Sequence, residues 1–260
     1  MTILTKIENK NLDLLKELVK TRFKLRYNNS LLGFVWVLMK PILSFLILYF
    51  IFTAFKSGGH DPAFAANLFS GLILFYFLQE GITFGMNSLM DMSNIILKIN
   101  FPREIAVASS IVMAVINLSI NFFVIIIITL ITGFVPSVLG VLYFFFIVLI
   151  FLLLIYGITL FLSIIFVKVR DLTNVLDLFF QLMFWGSAIF YNLGDMTGRT
   201  GDLIRLNPVA ILIDAARRAF IKGEFVHTDV VLVIAGIALL LVFFGRRFFN
   251  KNVRKIAEFF

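Results

Sequence analysis

From residue 138 to residue 167 the chain runs thirty positions without a charge, and most of them are Phe, Ile, Leu or Val. A helix crosses the hydrocarbon core of a bilayer with roughly 20 apolar residues. A soluble globule has nowhere to hide such a run. Composition extends the point to the whole chain. Of 260 residues, 61% are hydrophobic and 15% charged, and mean hydropathy is +1.03; soluble domains carry roughly 25% charged residues. Disorder, a fibrous repeat and a plain soluble enzyme are excluded. The fold class is an all-α integral membrane protein.

Five further spans are predicted, at residues 31–55, 64–89, 105–131, 175–191 and 230–244, making six. Lys56-Ser57-Gly58-Gly59 ends the first, Gly133 and Pro136 close the third, and Gly245-Arg246-Arg247 closes the last. Residues 1–30 hold seven basic residues and no apolar core run, so they are not a signal peptide. Leu12, Leu15, Val19 and Phe23 recur at helical spacing, which predicts a basic amphipathic helix on the membrane surface, capped at Asn11. Residues 192–229 are too polar to cross and too apolar for a free loop. Asn207-Pro208 starts a helix there, with Val209, Leu212, Ile213 and Ala216 on an apolar face and Asp214, Arg217 and Arg218 on a polar one. This reads as a re-entrant or interfacial element before the last span. With the amino terminus inside, cytoplasmic segments hold 16 Lys and Arg and outer segments six. Both termini are therefore expected in the cytoplasm. One domain is expected over 1–260: a surface helix (1–30), a six-span bundle (31–245) and a basic tail (246–260).

The chain has no cysteine, hence no thiolate metal site or cysteine nucleophile. It has no Gly-Lys pair, hence no P-loop. His60 and His227 lack metal-ligand spacing, and the scattered carboxylates are thin material for acid–base catalysis. The net charge of +8 reads as a topology signal, not as a nucleic-acid surface. Lys40 and Glu80 lie within spans, where charge is costly. They either pair, or Lys40 faces an anionic cargo, or Lys40 snorkels to the headgroups. Gly81 and Gly85 permit close helix approach, within the bundle or between copies. Trp36, Phe180, Phe184, Trp185 and Tyr191 are candidates to line a channel, offering ring faces to a sliding sugar chain. The stretch 91–104, with Ile95, Ile96 and Leu97, forms a short helix suited to a protein partner.

Arg26-Tyr27, then Ser30-Leu31-Leu32-Gly33, Trp36 and Pro41 resemble the start of the first span in ABC-2 type polysaccharide exporter permeases. Asn94, Lys98 and Phe101-Pro102-Arg103-Glu104 are similar to that family's first cytoplasmic loop. Arg170-Asp171 and Leu206-Asn207-Pro208 with Asp214 and Arg217 look like its later motifs. Lys40 departs from the family, which more often has a neutral polar residue there. The resemblance implies a homodimer in the bacterial inner or plasma membrane, working with a separate cytoplasmic ATPase that holds ATP and Mg; this chain needs no cofactor. It implies export of a lipid-linked glycan, O-antigen most of all, or teichoic acid or capsule, on an undecaprenyl diphosphate or other lipid anchor. Asn94, Ile95, Leu97, Lys98, Phe101, Pro102 and Arg103 would contact the ATPase, Arg26 and Lys40 the anchor phosphate, and Asn207, Pro208, Asp214 and Arg217 would belong to the outer re-entrant element. Alternatives are a drug exporter, a membrane enzyme acting on lipid-linked sugar, and a passive channel.

Overall fold

The computed structural model describes residues 2–27, 35–55, 62–96, 101–133 and 135–258. The described residues form ten α-helices: α1 (Thr2–Tyr27), α2 (Val35–Phe55), α3 (Pro62–Asp91), α4 (Ser93–Ile96), α5 (Glu104–Thr132), α6 (Val138–Lys168), α7 (Leu172–Trp185), α8 (Gly198–Arg205), α9 (Pro208–Lys222) and α10 (Thr228–Asn252). Among them α2, α3, α5, α6 and α10 are long and apolar enough to cross a membrane.

Helix ends follow local chemistry. Ser137 caps α6 by accepting from the Gly140 amide at 3.0 Å. Gly133 and Gly223 adopt positive φ, 69° and 68°, and close α5 and α9 with their amides on preceding carbonyls. Two expectations are corrected. Asn11 is not a cap: no Gly or Pro interrupts residues 2–10, so the helix starts at Thr2 and runs through it. The fifth apolar segment begins at Leu172 and stops at Trp185, short of residue 191. Its 14 residues reach about 21 Å, less than the roughly 30 Å of hydrocarbon. At Gly186 the chain turns inward, burying Ser187, Ala188 and Ile189. Ala188 is left-handed (φ 53°). Among the described residues, the apolar helices are thus five long enough to span and one shorter.

α3 sits at the centre, touching α2, α5, α6, α7 and α9. Its Leu68, Phe69, Leu72, Phe75 and Met86 are fully buried. Gly81 and Gly85 answer the question of their role. A β-carbon at Gly81 would lie 2.8 Å from the Ile155 side chain, and one at Gly85 would collide with Thr159. Both glycines therefore seat α6 on α3 within one chain. α10 packs on the far side of α6, with Gly245 against the Gly157 carbonyl. α2 is the least buried span and leaves most of its surface open.

Candidate functional site

Two adjoining cavities open where the surface helix α1 meets the bundle. One, of about 470 Å³, is lined by Arg26 and Tyr27 from α1, Trp36 and Lys40 from α2, Gln79 and Glu80 from α3, Asn117 from α5 and Asp177 from α7. The sequence thus scattered Arg26, Trp36, Lys40 and Glu80 over more than 50 positions, and the fold gathers them on one wall. Lys40 does not reach Glu80 within 4 Å. Its Nζ stands 4.8 Å above the Tyr76 ring, and that phenol shares a hydrogen bond with Ser44 at 2.7 Å. Glu80 instead accepts from Asn117 Nδ2 at 2.7 Å, and Asn117 Oδ1 accepts from the Tyr27 hydroxyl at 3.0 Å. Asn121 Nδ2 adds a bond to the Asn117 carbonyl at 2.8 Å. Burial pushes the Tyr27 phenol above its usual range, so it stays a neutral donor. One hydrogen-bonded chain therefore ties the end of α1, through α5, to the Glu80 carboxylate.

The second cavity, about 500 Å³, shares Arg26, Thr83 and Phe84 with the first and continues along α1 to Asp91, Met92 and Ile95. Arg26 Cζ lies over the Phe84 ring, 4.0 Å from its centroid. Arg22 closes the far end: its guanidinium pairs with Asp91 at 3.5 Å and donates to the Ser88 carbonyl at 3.2 Å. A cation on the last carbonyls of α3 complements that helix end.

At the opposite end, α9 departs from the amphipathic expectation. Its Asp214 and Arg217 are as buried as its apolar face. Arg217 donates to Asp214 Oδ1 at 2.6 Å, to the Tyr191 carbonyl at 2.6 Å and to Asn192 Oδ1 at 3.0 Å. The other Asp214 oxygen faces Arg218 Nε at 3.2 Å and His227 Nε2 at 3.9 Å. Burial is tolerated because the inward turn after α7 brings carbonyls to the guanidinium. Asn207 has two tasks: it caps α9 on the Val209 amide at 3.0 Å, and its amide nitrogen donates to the Gly186 carbonyl at 2.8 Å. Pro208 occupies the first turn.

The aromatic candidates divide. Trp36 and Trp185 are exposed, and Phe184 and Tyr191 are half-buried. Phe184, Trp185 and Tyr191 meet around Phe190, which stacks on Phe52 of α2 at 5.0 Å. Phe180 is a correction: it is 1% exposed and meets Phe75 edge-on at 6.5 Å, so it fills the bundle and lines no open wall. Of the residues expected to meet the ATPase, Asn94 of α4 is exposed and Ile95 half-buried. Phe101 packs on the core, Pro102 is exposed, and Arg103 donates to the Val253 carbonyl. Leu97 and Lys98 lie outside the described residues, as do positions 28–34 of the first motif. Sequence reasoning missed Asn117, Asn121 and Tyr76. Two Asn residues four apart in a largely apolar helix were the available signal for Asn117 and Asn121.

Charged and amide groups set at bilayer depth around an open cleft, on a bundle of spanning helices, define a multi-pass membrane transport protein. Comparison places it more closely. The ABC-2 type transporter family profile matches residues 13–221, and the chain belongs to that family. It is similar to an O-antigen export system permease protein, RfbA, of Klebsiella pneumoniae, at 28% identity over 95% of this chain and 94% of the relative. A Myxococcus xanthus protein of the same name is 24% identical over 94% of each chain.

Proposed function

We propose that this chain is the transmembrane subunit of an ATP-driven exporter that carries O-antigen polysaccharide, joined to a lipid anchor, out of the cytoplasm across the inner membrane. One observation carries the reading. Lys40, Glu80 and Asp177 stand with Trp36 and Tyr27 around a cleft of about 470 Å³ on the least covered side of the bundle. Charges at that depth cannot face acyl chains cheaply, so this side borders water. Amides, carboxylates and rings are the groups that bind and release sugar hydroxyls and sugar faces. Their mixture favours a glycan over a hydrophobic drug.

Two copies complete the conduit. α2 and α7 leave Trp36, Phe50, Leu182 and Trp185 exposed, and a second chain set against them encloses the polar wall. Arg26 and Lys40, both on the cleft, hold the anchor's phosphate by charge-assisted bonds. The basic residues of α1 and of the tail put both termini in the cytoplasm. Energy comes from a separate ATPase subunit, since the sequence holds no P-loop, and α4 with Asn94 meets it.

The test is reconstitution. Permease and ATPase subunits in vesicles, given lipid-linked O-antigen, should move glycan to a lectin-accessible side only with ATP. Transport by the permease alone, or ATP hydrolysis stimulated by hydrophobic cations but not by the glycan, refutes the proposal.

A further inference from the structure

The carboxyl-terminal half of α10 carries a third groove, apart from the cleft. α10 rests on α6 and α9, whereas α2, which lines the cleft, packs on α3 and α5. Leu239, Val242 and Phe243 line the lower part of the groove, and Arg246, Arg247 and Asn250 line the upper part; the volume is about 410 Å³. These residues recur three or four apart, so they form one stripe along one helix. Leu239 to Arg246 spans about 10 Å of apolar wall beneath the cations.

The charges in the groove do not balance. Arg246 is steered by Glu104, whose carboxylate lies 3.4 Å from its Nε, and by the Tyr156 ring, 5.8 Å from its Cζ. Arg247 is exposed and pairs with no described carboxylate within 4 Å. Lys251, Arg254 and Lys255 follow on the next turns. Two guanidinia against one carboxylate leave a net positive charge at the end of a membrane span, beside an open apolar furrow walled on one side by α10. A water-soluble anion has no use for the furrow, and a neutral lipid has no use for the charge.

We infer that this groove binds one anionic phospholipid of the surrounding leaflet, its phosphate between Arg246 and Arg247 and one acyl chain along Phe243, Val242 and Leu239. The site is independent of the cargo and of the export reading. Its headgroup contact is the two-point guanidinium–phosphate kind, and its chain contact is ordinary apolar burial.

The experiment is native mass spectrometry of the full-length purified permease, titrated with palmitoyl-oleoyl phosphatidylglycerol or the matching phosphatidylcholine. The wild type should retain phosphatidylglycerol about tenfold better, the size of one charge-assisted bond. Arg247→Gln should abolish most of that preference, and its thermal unfolding should match the wild type because Arg247 has no carboxylate partner. Arg246→Gln/Arg247→Gln should abolish the rest. Arg254→Gln/Lys255→Gln should leave it intact. Equal retention of both lipids overturns the proposal. So does equal loss in the Arg254/Lys255 variant, which would mean diffuse charge. Displacement of the lipid by soluble glycerophosphoglycerol would mean an anion site without a lipid leg. Loss of ATPase co-purification in Arg247→Gln with lipid retention unchanged would mean a protein contact. Each of these sinks the assignment.

Discussion

Replacing Arg217 by Met isolates the buried ion pair that anchors α9. The Arg217 side chain is 2% exposed and Asp214 is fully buried, so little water reaches either charge. The substitution removes an ion pair at 2.6 Å and the donors to the Tyr191 carbonyl and Asn192. Breaking a buried pair from one side costs about 3–5 kcal/mol, chiefly because a charge is stranded. Here Asp214 keeps Arg218 at 3.2 Å, which points to the lower figure, about 3 kcal/mol. For a chain of this size that lowers the melting temperature by on the order of 10 °C. Arg217→Lys should fall between, since an ammonium supplies charge but not a planar fork for three acceptors. Adding Asp214→Asn to Arg217→Met should cost far less than the sum of the single changes, giving a coupling of about 1–3 kcal/mol in a double-mutant cycle. The assay is thermal unfolding of detergent-purified protein, followed by near-ultraviolet circular dichroism. If Arg217→Met melts within about 0.5 kcal/mol of the wild type, as surface changes do, the pair is not the anchor inferred here.

Three other outcomes follow from the geometry. Gly85→Leu should destabilise the single chain by about 1–3 kcal/mol through its collision with Thr159; if it instead dissociates a dimer at unchanged melting temperature, the glycines serve an interface between copies. Lys40→Ala should weaken cargo binding by roughly 10- to 100-fold, the loss of one charge-assisted bond, with Lys40→Arg rescuing it; equal binding by all three proteins means that Lys40 only reaches for headgroups. Tyr27→Phe and Asn117→Leu should each loosen α1 from the bundle, read as faster amide exchange across residues 20–27, and the double variant should add little; fully additive effects would mean that the two residues do not act in one chain.

The spans were legible because unbroken apolarity over twenty or more residues has few other uses. Their ends were less so. Residues 175–191 stay apolar past Gly186, and only the tertiary structure shows that Ser187, Ala188 and Ile189 turn into the protein. The same turn explains the missed burial of Asp214 and Arg217. Their three-residue spacing announced a polar helical face, and on composition such a face belongs to water or headgroups. The acceptors that bury it are the carbonyl of Tyr191 and the side chain of Asn192, about 25 positions upstream, on a loop with no periodicity to read.

The cleft shows the complementary case. Arg26, Trp36 and Lys40 stood out singly, as charges and a ring near a span, but their gathering depends on α1 lying beside α3 and α5. Asn117 makes that arrangement specific. Its amide takes the Tyr27 hydroxyl on one side and gives to Glu80 on the other, so α1 cannot slide without uncoupling a carboxylate in the cleft wall. Arg22 holds the same helix to the last turn of α3, eleven residues beyond Glu80, or about 16 Å along a rigid helix. A force applied at α4, directly after Asp91, therefore acts on α3 at the point where α1 is clipped to it. Both cavities are bounded by α1 and α3 and share Arg26, Thr83 and Phe84, so a displacement of either helix would alter both walls.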